Sequence, residues 1–130
     1  HPDEIYSLFK QTFENINQPY TINGVHFRQL EEGRIEAEIN TKYKDGEFRK
    51  VYAEGNGRLN AVSNAIKKAH NLKFDLMTYQ EHALSQSSSS RAIAYVGLKK
   101  PDGTLSWGAG VDPDIIRASI DALLTAVNNM

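Results

Sequence analysis

Residues Ala53 to Ile66 read A-E-G-N-G-R-L-N-A-V-S-N-A-I, and a change of pattern inside this stretch decides how the chain is parsed. An extended run, Phe48 to Ala53, stops at Gly55-Asn56-Gly57, and helical spacing begins at once with Leu59, Val62, Ile66 and Ala69 on one face. Two glycines around an asparagine let the backbone turn sharply and leave nothing blocking the first-turn N–H groups, which carry partial positive charge. A helix start of this kind holds a carboxylate or phosphate. The plainer alternative is an ordinary strand-to-helix turn with Asn56 as its cap.

Upstream of this point, strand signals follow one another closely. Val25 and Phe27 alternate with polar neighbours, Glu31-Glu32-Gly33 turns, Ile35, Ala37 and Ile39 alternate, and Lys44-Asp45-Gly46-Glu47 turns again into the run from Phe48. Such short turns imply an antiparallel meander with one wet face, on which Glu36, Glu38, Arg49 and Lys50 are solvated charges rather than a catalytic pair. Before the meander, Pro2-Asp3-Glu4 opens a helix over about 2–16 with Ile5, Leu8, Phe9, Phe13 and Ile16 at helical spacing, and Asn17-Gln18-Pro19 ends it.

Downstream, the pattern restarts. Phe74 to Tyr79 is a strand, Arg91 to Leu98 is another that is apolar nearly throughout, Lys100-Pro101-Asp102-Gly103 is a hairpin turn, and Leu105 to Ala109 is a third strand. Gly108-Ala109-Gly110 then precedes Asp112-Pro113-Asp114, where Asp112 suits an N-cap and Pro113 the first helical position, and Ile116, Ile120, Leu123 and Val127 form a helix face. Asp45-Gly46 and Asp102-Gly103 lie 57 residues apart, and the same shift carries Ala61, Ala65 and Ala69 onto Ala118, Ala122 and Ala126. Alanines at every fourth position make a smooth ridge for close helix packing. The reading is an α+β fold of two strand-strand-strand-helix units, about 20–72 and 73–130, after an N-terminal helix or linker in 1–19. Glycine-flanked helix starts in both units point to a pseudo-symmetric domain with a ligand cleft.

Composition narrows the function. With 130 residues the chain is one domain long, and 15 basic against 16 acidic residues give a net charge of -1. No basic field is present for nucleic acid or an anionic membrane, which also argues against a double-stranded RNA-binding reading of the first half. Zero cysteines exclude disulfides and thiolate chemistry. The longest apolar stretch, Ala92 to Leu98, is too short to span a bilayer, and no signal peptide is visible, so a soluble, cytoplasmic protein is expected. The start at His1 without methionine is read as a fragment of a larger chain, or a processed or tagged form.

Five motifs carry a family resemblance: Gly55-Asn56-Gly57, Tyr79-Gln80-Glu81-His82-Ala83, Ala92-Ile93-Ala94-Tyr95-Val96, Trp107-Gly108-Ala109-Gly110-Val111, and Ala118-Ser119 with Ala126-Val127-Asn128. In this order and spacing the chain, over about 20–130, resembles the C-terminal regulatory domain of 2-isopropylmalate synthase, most closely the longer, fungal or actinobacterial type. The resemblance implies a parent enzyme that joins the acetyl group of acetyl-CoA to 3-methyl-2-oxobutanoate in leucine biosynthesis. A metal-dependent TIM-barrel domain absent from this chain would carry the chemistry, so no cofactor and no catalytic or metal-binding residue is expected here. The regulatory domain would pair in a homodimer and bind L-leucine as feedback inhibitor.

Carried over by resemblance, the effector site comprises Gly55, Asn56, Gly57, Leu59 and Asn60 at the helix start, Leu76, Tyr79 and Ala83 on the fourth strand, and Ser90 and Ala92 leading into the fifth. Arg58 replaces the family's usual proline, and Asn60 and Ser90 stand where small apolar residues are common, which bears on affinity and on the choice of amino acid. A sister synthase of citramalate or homocitrate type, sensing another amino acid, remains an alternative. A small stand-alone hydrolase using His82 and a serine of the Ser-rich run Gln86 to Ser90 is a third reading, disfavoured because no Gly-x-Ser-x-Gly elbow or orienting acid accompanies it. Glu81 and His82 are neighbours on a strand and point to opposite faces, so they cannot easily share a metal.

Overall fold

The computed structural model describes residues 19–83 and 91–130. The expected first helix and the Ser-rich run, with Ser90, lie outside the described residues. Six strands and two α-helices follow in the order β1 (Tyr20–Gln29), β2 (Ile35–Tyr43), β3 (Arg49–Gly55), α1 (Arg58–His70), β4 (Asp75–Ala83), β5 (Ala92–Lys99), β6 (Leu105–Asp112) and α2 (Ile115–Asn128). The α+β repeat read from the sequence is what the chain adopts. It divides after Phe74 into two compact units, each with one three-stranded antiparallel sheet, ordered β1-β2-β3 and β4-β5-β6.

In the first unit, alternation places Ala37, Ile39 and Thr41 of β2 and Val51 of β3 inward, where they are buried with Ala61, Val62, Ala65, Ile66 and Ala69 of α1. The opposite face of the sheet is polar. Arg28 pairs with Glu36 at 3.2 Å, Arg34 with Glu54 at 2.6 Å, and the Tyr52 hydroxyl donates to Glu38 at 2.7 Å. Arg28, Glu36, Glu38 and Tyr52, with His26 and Phe27, line a shallow groove of about 270 Å³. The hydrogen bond to Glu38, followed by the negative charge of that carboxylate, pushes the Tyr52 phenol above its ordinary value.

Arg49 is exposed, as expected, but projects from the helix side of the sheet rather than from the face that carries Lys50. Its register partner is Thr41, which points inward, and its guanidinium donates to the carbonyl oxygen of Ala69 in the last turn of α1. Alternation demands this once Lys50 faces solvent, and a cation at a helix C-terminus is favourable. Beside it, the His70 ring lies tilted against Tyr20, ring centres 4.6 Å apart, and its Nε2 lies 2.9 Å from the Thr41 hydroxyl. That hydroxyl spends its proton on the Thr21 carbonyl at 2.8 Å, so His70 is the donor of the pair. Burial, and after it the charge of Arg49, hold His70 below its usual 6.5.

The second unit repeats the scheme with smaller residues at the contact. The strand expected over Leu105 to Ala109 extends to Asp112, so Gly108 and Gly110, expected to flank the last helix start, both lie inside β6, opposite Val96 and Ala94 of β5. A Cβ on Gly108 would strike the backbone of Ala122 and Ala126, and one on Gly110 that of Ala118 and Ala122. The alanine ridge of α2 therefore lies directly on a glycine track, an approach that any larger residue would prevent. Alternation cannot be read in a run of residues without side chains, which is why the strand's length was missed. Strand β5 is buried on both faces, and α2 is buried on nearly every side.

Both helix starts also differ from expectation. The N-cap of α1 is Gly57, not Asn56, with extended backbone and no side-chain cap. The N-cap of α2 is Asp114, whose carboxylate accepts from Ile116 N at 3.0 Å. Asp112, the expected cap, instead accepts from Asp114 N at 2.9 Å, closing an Asx turn that leaves Pro113 outside the helix. Gly57 and Asp114 stand 57 positions apart, so the repeat does keep register through the helix starts. The expectation of paired glycine-flanked helix ends is therefore overturned, because only α1 has one.

Candidate functional site

The expected effector residues fall into two groups, one in each unit. In the first unit, Gly55, Asn56, Gly57, Leu59 and Asn60 are gathered at the junction of β3 and α1. Here Gly55 is required: a Cβ would lie 2.5 Å from both Ala61 N and Asn60 Oδ1, because the loop folds tightly on the first helical turn. The Asn60 side chain turns back on the loop, its Oδ1 accepting from Asn56 N at 3.1 Å. One turn on, Asn64 Nδ2 donates to the carbonyl oxygen of Glu54 at 2.9 Å. The two amides clamp the loop from one helix face.

At Gly57 a Cβ would meet nothing within 4 Å, and the first turn of α1 carries no acid. The amides of Arg58, Leu59 and Asn60 precede the first intrahelical bond, from Ala61 N to Gly57 O at 2.9 Å. In α2 the corresponding end is covered by the protein's own carboxylate, Asp114. At α1 the residue in that place has no side chain.

In the second unit, Leu76, Tyr79, Ala83 and Ala92 share one sheet face. Leu76 pairs with Leu98, Tyr79 with Val96, and Ala83 with Ala92. An odd spacing from Leu76 to Tyr79 would ordinarily put them on opposite faces. A bulge between Leu76 and Thr78 inserts Met77 and restores them to one. The same bulge falls between Ile22 and Gly24 of β1, so each edge strand of the repeat is kinked in the same place.

Tyr79 is 40% exposed, yet its hydroxyl is held at the tip. It donates to Glu81 Oε2 at 2.6 Å and lies 2.6 Å from Ser119 Oγ of α2. Ser119 is 1% exposed and also reaches the Ile115 carbonyl at 2.8 Å, so its single proton is shared between that oxygen and the phenol. Glu81 lies two residues from Tyr79 on the same face, a relation visible in the strand pattern. Ser119, forty positions away, has no such signal and entered the sequence reading only within a motif.

His82 faces the other way, its ring edge-on to Tyr95 at 5.8 Å. Among the described residues, no group of three or more His, Cys, Asp or Glu is placed to hold a metal. Trp107 covers Gly97, where a Cβ would sit 2.6 Å from the ring, so it serves packing. No helix among the described residues is long and apolar enough to cross a membrane.

Two βββα repeats, the first with a helix start that lacks a side-chain cap, define an α+β module. The chain belongs to the family described as the LeuA allosteric (dimerisation) domain, which it matches over residues 1–130. It is 37% identical over 129 residues to the 2-isopropylmalate synthase of Desulfitobacterium hafniense, covering 99% of this chain and 23% of that protein. To the 2-isopropylmalate synthase of Helicobacter hepaticus it is 33% identical over 136 residues, covering 99% of this chain and 24% of that protein. To that of Clostridium acetobutylicum it is 35% identical over 136 residues, covering 98% and 23%. The chain thus spans about a quarter of the length of these relatives.

Proposed function

We propose that this chain is the regulatory domain of a cytoplasmic 2-isopropylmalate synthase, that it binds L-leucine as feedback inhibitor, and that it pairs with a second copy of itself. The parent enzyme would condense acetyl-CoA with 3-methyl-2-oxobutanoate, its metal-assisted chemistry lying in the remaining three quarters of the protein. One observation carries the reading: the helix start that holds Asp114 in the second repeat holds Gly57 in the first, leaving first-turn amides of α1 without a carboxylate from their own cap. An α-amino acid supplies that carboxylate, and helix amides with the positive end of the macrodipole stabilise it. Family membership supports the regulatory role, and Leu59, in the first turn of α1, offers an aliphatic side chain suited to a branched ligand.

Isothermal titration with leucine, isoleucine and valine tests the effector. Leucine is expected to bind most tightly, and silence for all three would remove the reading. Pairing is tested by sedimentation, where a species of twice the 14.6 kDa chain mass is expected. A monomer throughout the concentration range would refute it.

A further inference from the structure

We propose that the Asn56-Gly57 step ahead of α1 is a site of spontaneous deamidation, at which the chain generates a carboxylate beside its own helix start. The sequence contains two Asn-Gly steps, 23–24 and 56–57. Glycine after asparagine favours this reaction, because no side chain shields the attacking amide nitrogen. The structure sets the two steps apart.

At 56–57 the chain bends between β3 and α1, and Asn56 is exposed. Only its main chain is anchored, the N–H donating to Asn60 Oδ1 at 3.1 Å. Among the described residues, no hydrogen bond holds the Asn56 carboxamide or engages the Gly57 N–H. The side chain can therefore swing over that nitrogen, and a Cβ on Gly57 would meet nothing within 4 Å, so the loop leaves room beside it. Asn23 is exposed too, but it lies within β1. Asn40 Nδ2 donates to its Oδ1 at 2.6 Å, and Gly24 is paired with Asn40 across the ladder. Ring closure there has to break that bond and lift the strand from its neighbour.

The reaction balances with water as its only co-reactant. Gly57 N bonds to Asn56 Cγ, the Cγ–Nδ2 bond breaks, and ammonia leaves with the proton from Gly57 N. Water then opens the resulting succinimide at either carbonyl, giving aspartate or isoaspartate at position 56. Both products place a negative charge next to the N-cap of α1, whose first turn holds no acid and whose cap has no side chain. The first repeat thereby acquires with age a charge that Asp114 gives the second from the outset.

The test is incubation of the 130-residue chain at mildly alkaline pH, with peptide mapping by mass spectrometry and detection of isoaspartate. In the folded chain, conversion at 56 is expected to run about tenfold faster than at 23, the factor that an intact hydrogen bond and a paired strand impose. In guanidinium the two rates should converge, since only the fold distinguishes them. Equal rates in the folded chain, or an undiminished preference in the unfolded one, would overturn the proposal. Gly57→Ala, which the extended backbone accepts, shields the nitrogen and should bring the rate at 56 down to that at 23 or below. An unchanged rate in that variant would count equally against it. Asn56→Asp reproduces one product and should shift the folding equilibrium about two- to fivefold toward the native state, read by urea unfolding. A neutral or destabilising effect would refute the placement of the new charge at the helix start.

Discussion

Gly57 and Asp114 occupy the same position, the N-cap of the helix, in two repeats offset by 57 residues, and only Asp114 brings a carboxylate to the amides it caps. The two helix starts are otherwise alike, each closing its first intrahelical bond from an alanine to the cap, Ala61 to Gly57 and Ala118 to Asp114. One end is thus capped by its own carboxylate, and the other has no side-chain cap among the described residues.

Gly57→Asp should exploit this difference. Its backbone is extended and a Cβ there meets nothing, so the new carboxylate can cap α1 as Asp114 caps α2. Thermal stability is expected to rise slightly, by about 0.3–1 kcal/mol for an acid at a helix start. Leucine affinity is expected to fall by about tenfold or more, since two carboxylates cannot share one set of amides. A more stable protein that binds leucine undiminished would show that the ligand carboxylate goes elsewhere.

Asp114→Ala removes the bond to Ile116 N and should cost about 1 kcal/mol, measured by urea unfolding. Leucine affinity should change little, because the second helix start is not where the effector is placed.

Gly110→Ala should be far more costly than its chemistry implies. The added methyl would lie 2.7 Å from Ala122 N and closer still to the Ala118 carbonyl, neither of which can rotate away. Overpacking against backbone is expected to cost about 3 kcal/mol. Gly57→Ala, by contrast, meets open space. Denaturation midpoints of the two variants should separate widely.

His70 makes stability depend on pH. Burial, then Arg49, lower its native affinity for a proton below that of the unfolded chain, which titrates near 6.5. The unfolded state therefore takes up the proton first. Stability from this group is complete above about pH 7, declines as pH falls through 6.5, and levels off below the depressed native value. His70→Gln should flatten that part of a melting-temperature profile taken from pH 8 to 5.

Arg49→Met tests the same corner from the other side. It removes the donor to Ala69 O and should cost about 1 kcal/mol. It also removes the second cause of the His70 shift, so the imidazole titration followed by NMR should move upward, while burial keeps it below 6.5.

Much of the fold was legible because its signals are local. Apolar alternation marked β2, the Asp-Gly turns at 45–46 and 102–103 marked the hairpins, and alanines at every fourth position marked the buried ridges of both helices. Errors fell where side chains are small or doubled. Gly108-Ala109-Gly110 has no alternation to read, and Asp112-Pro113-Asp114 offers two caps, between which only the backbone path chooses. Arg49 and Lys50 are both exposed, but as strand neighbours they must leave opposite faces, which their shared charge conceals.

By itself, the sequence determined the duplicated strand-strand-strand-helix order, the inward faces of β2 and the helix ridges, and the family, since each depends on residues near one another along the chain. Tertiary structure alone decided that the glycines of β6 make room for α2, that one helix start is capped and its counterpart open, and that Ser119 holds the Tyr79 phenol. The first and third are contacts that periodicity does not record, Tyr79 and Ser119 lying forty positions apart, and the second turns on the path the backbone takes between two neighbouring candidate caps.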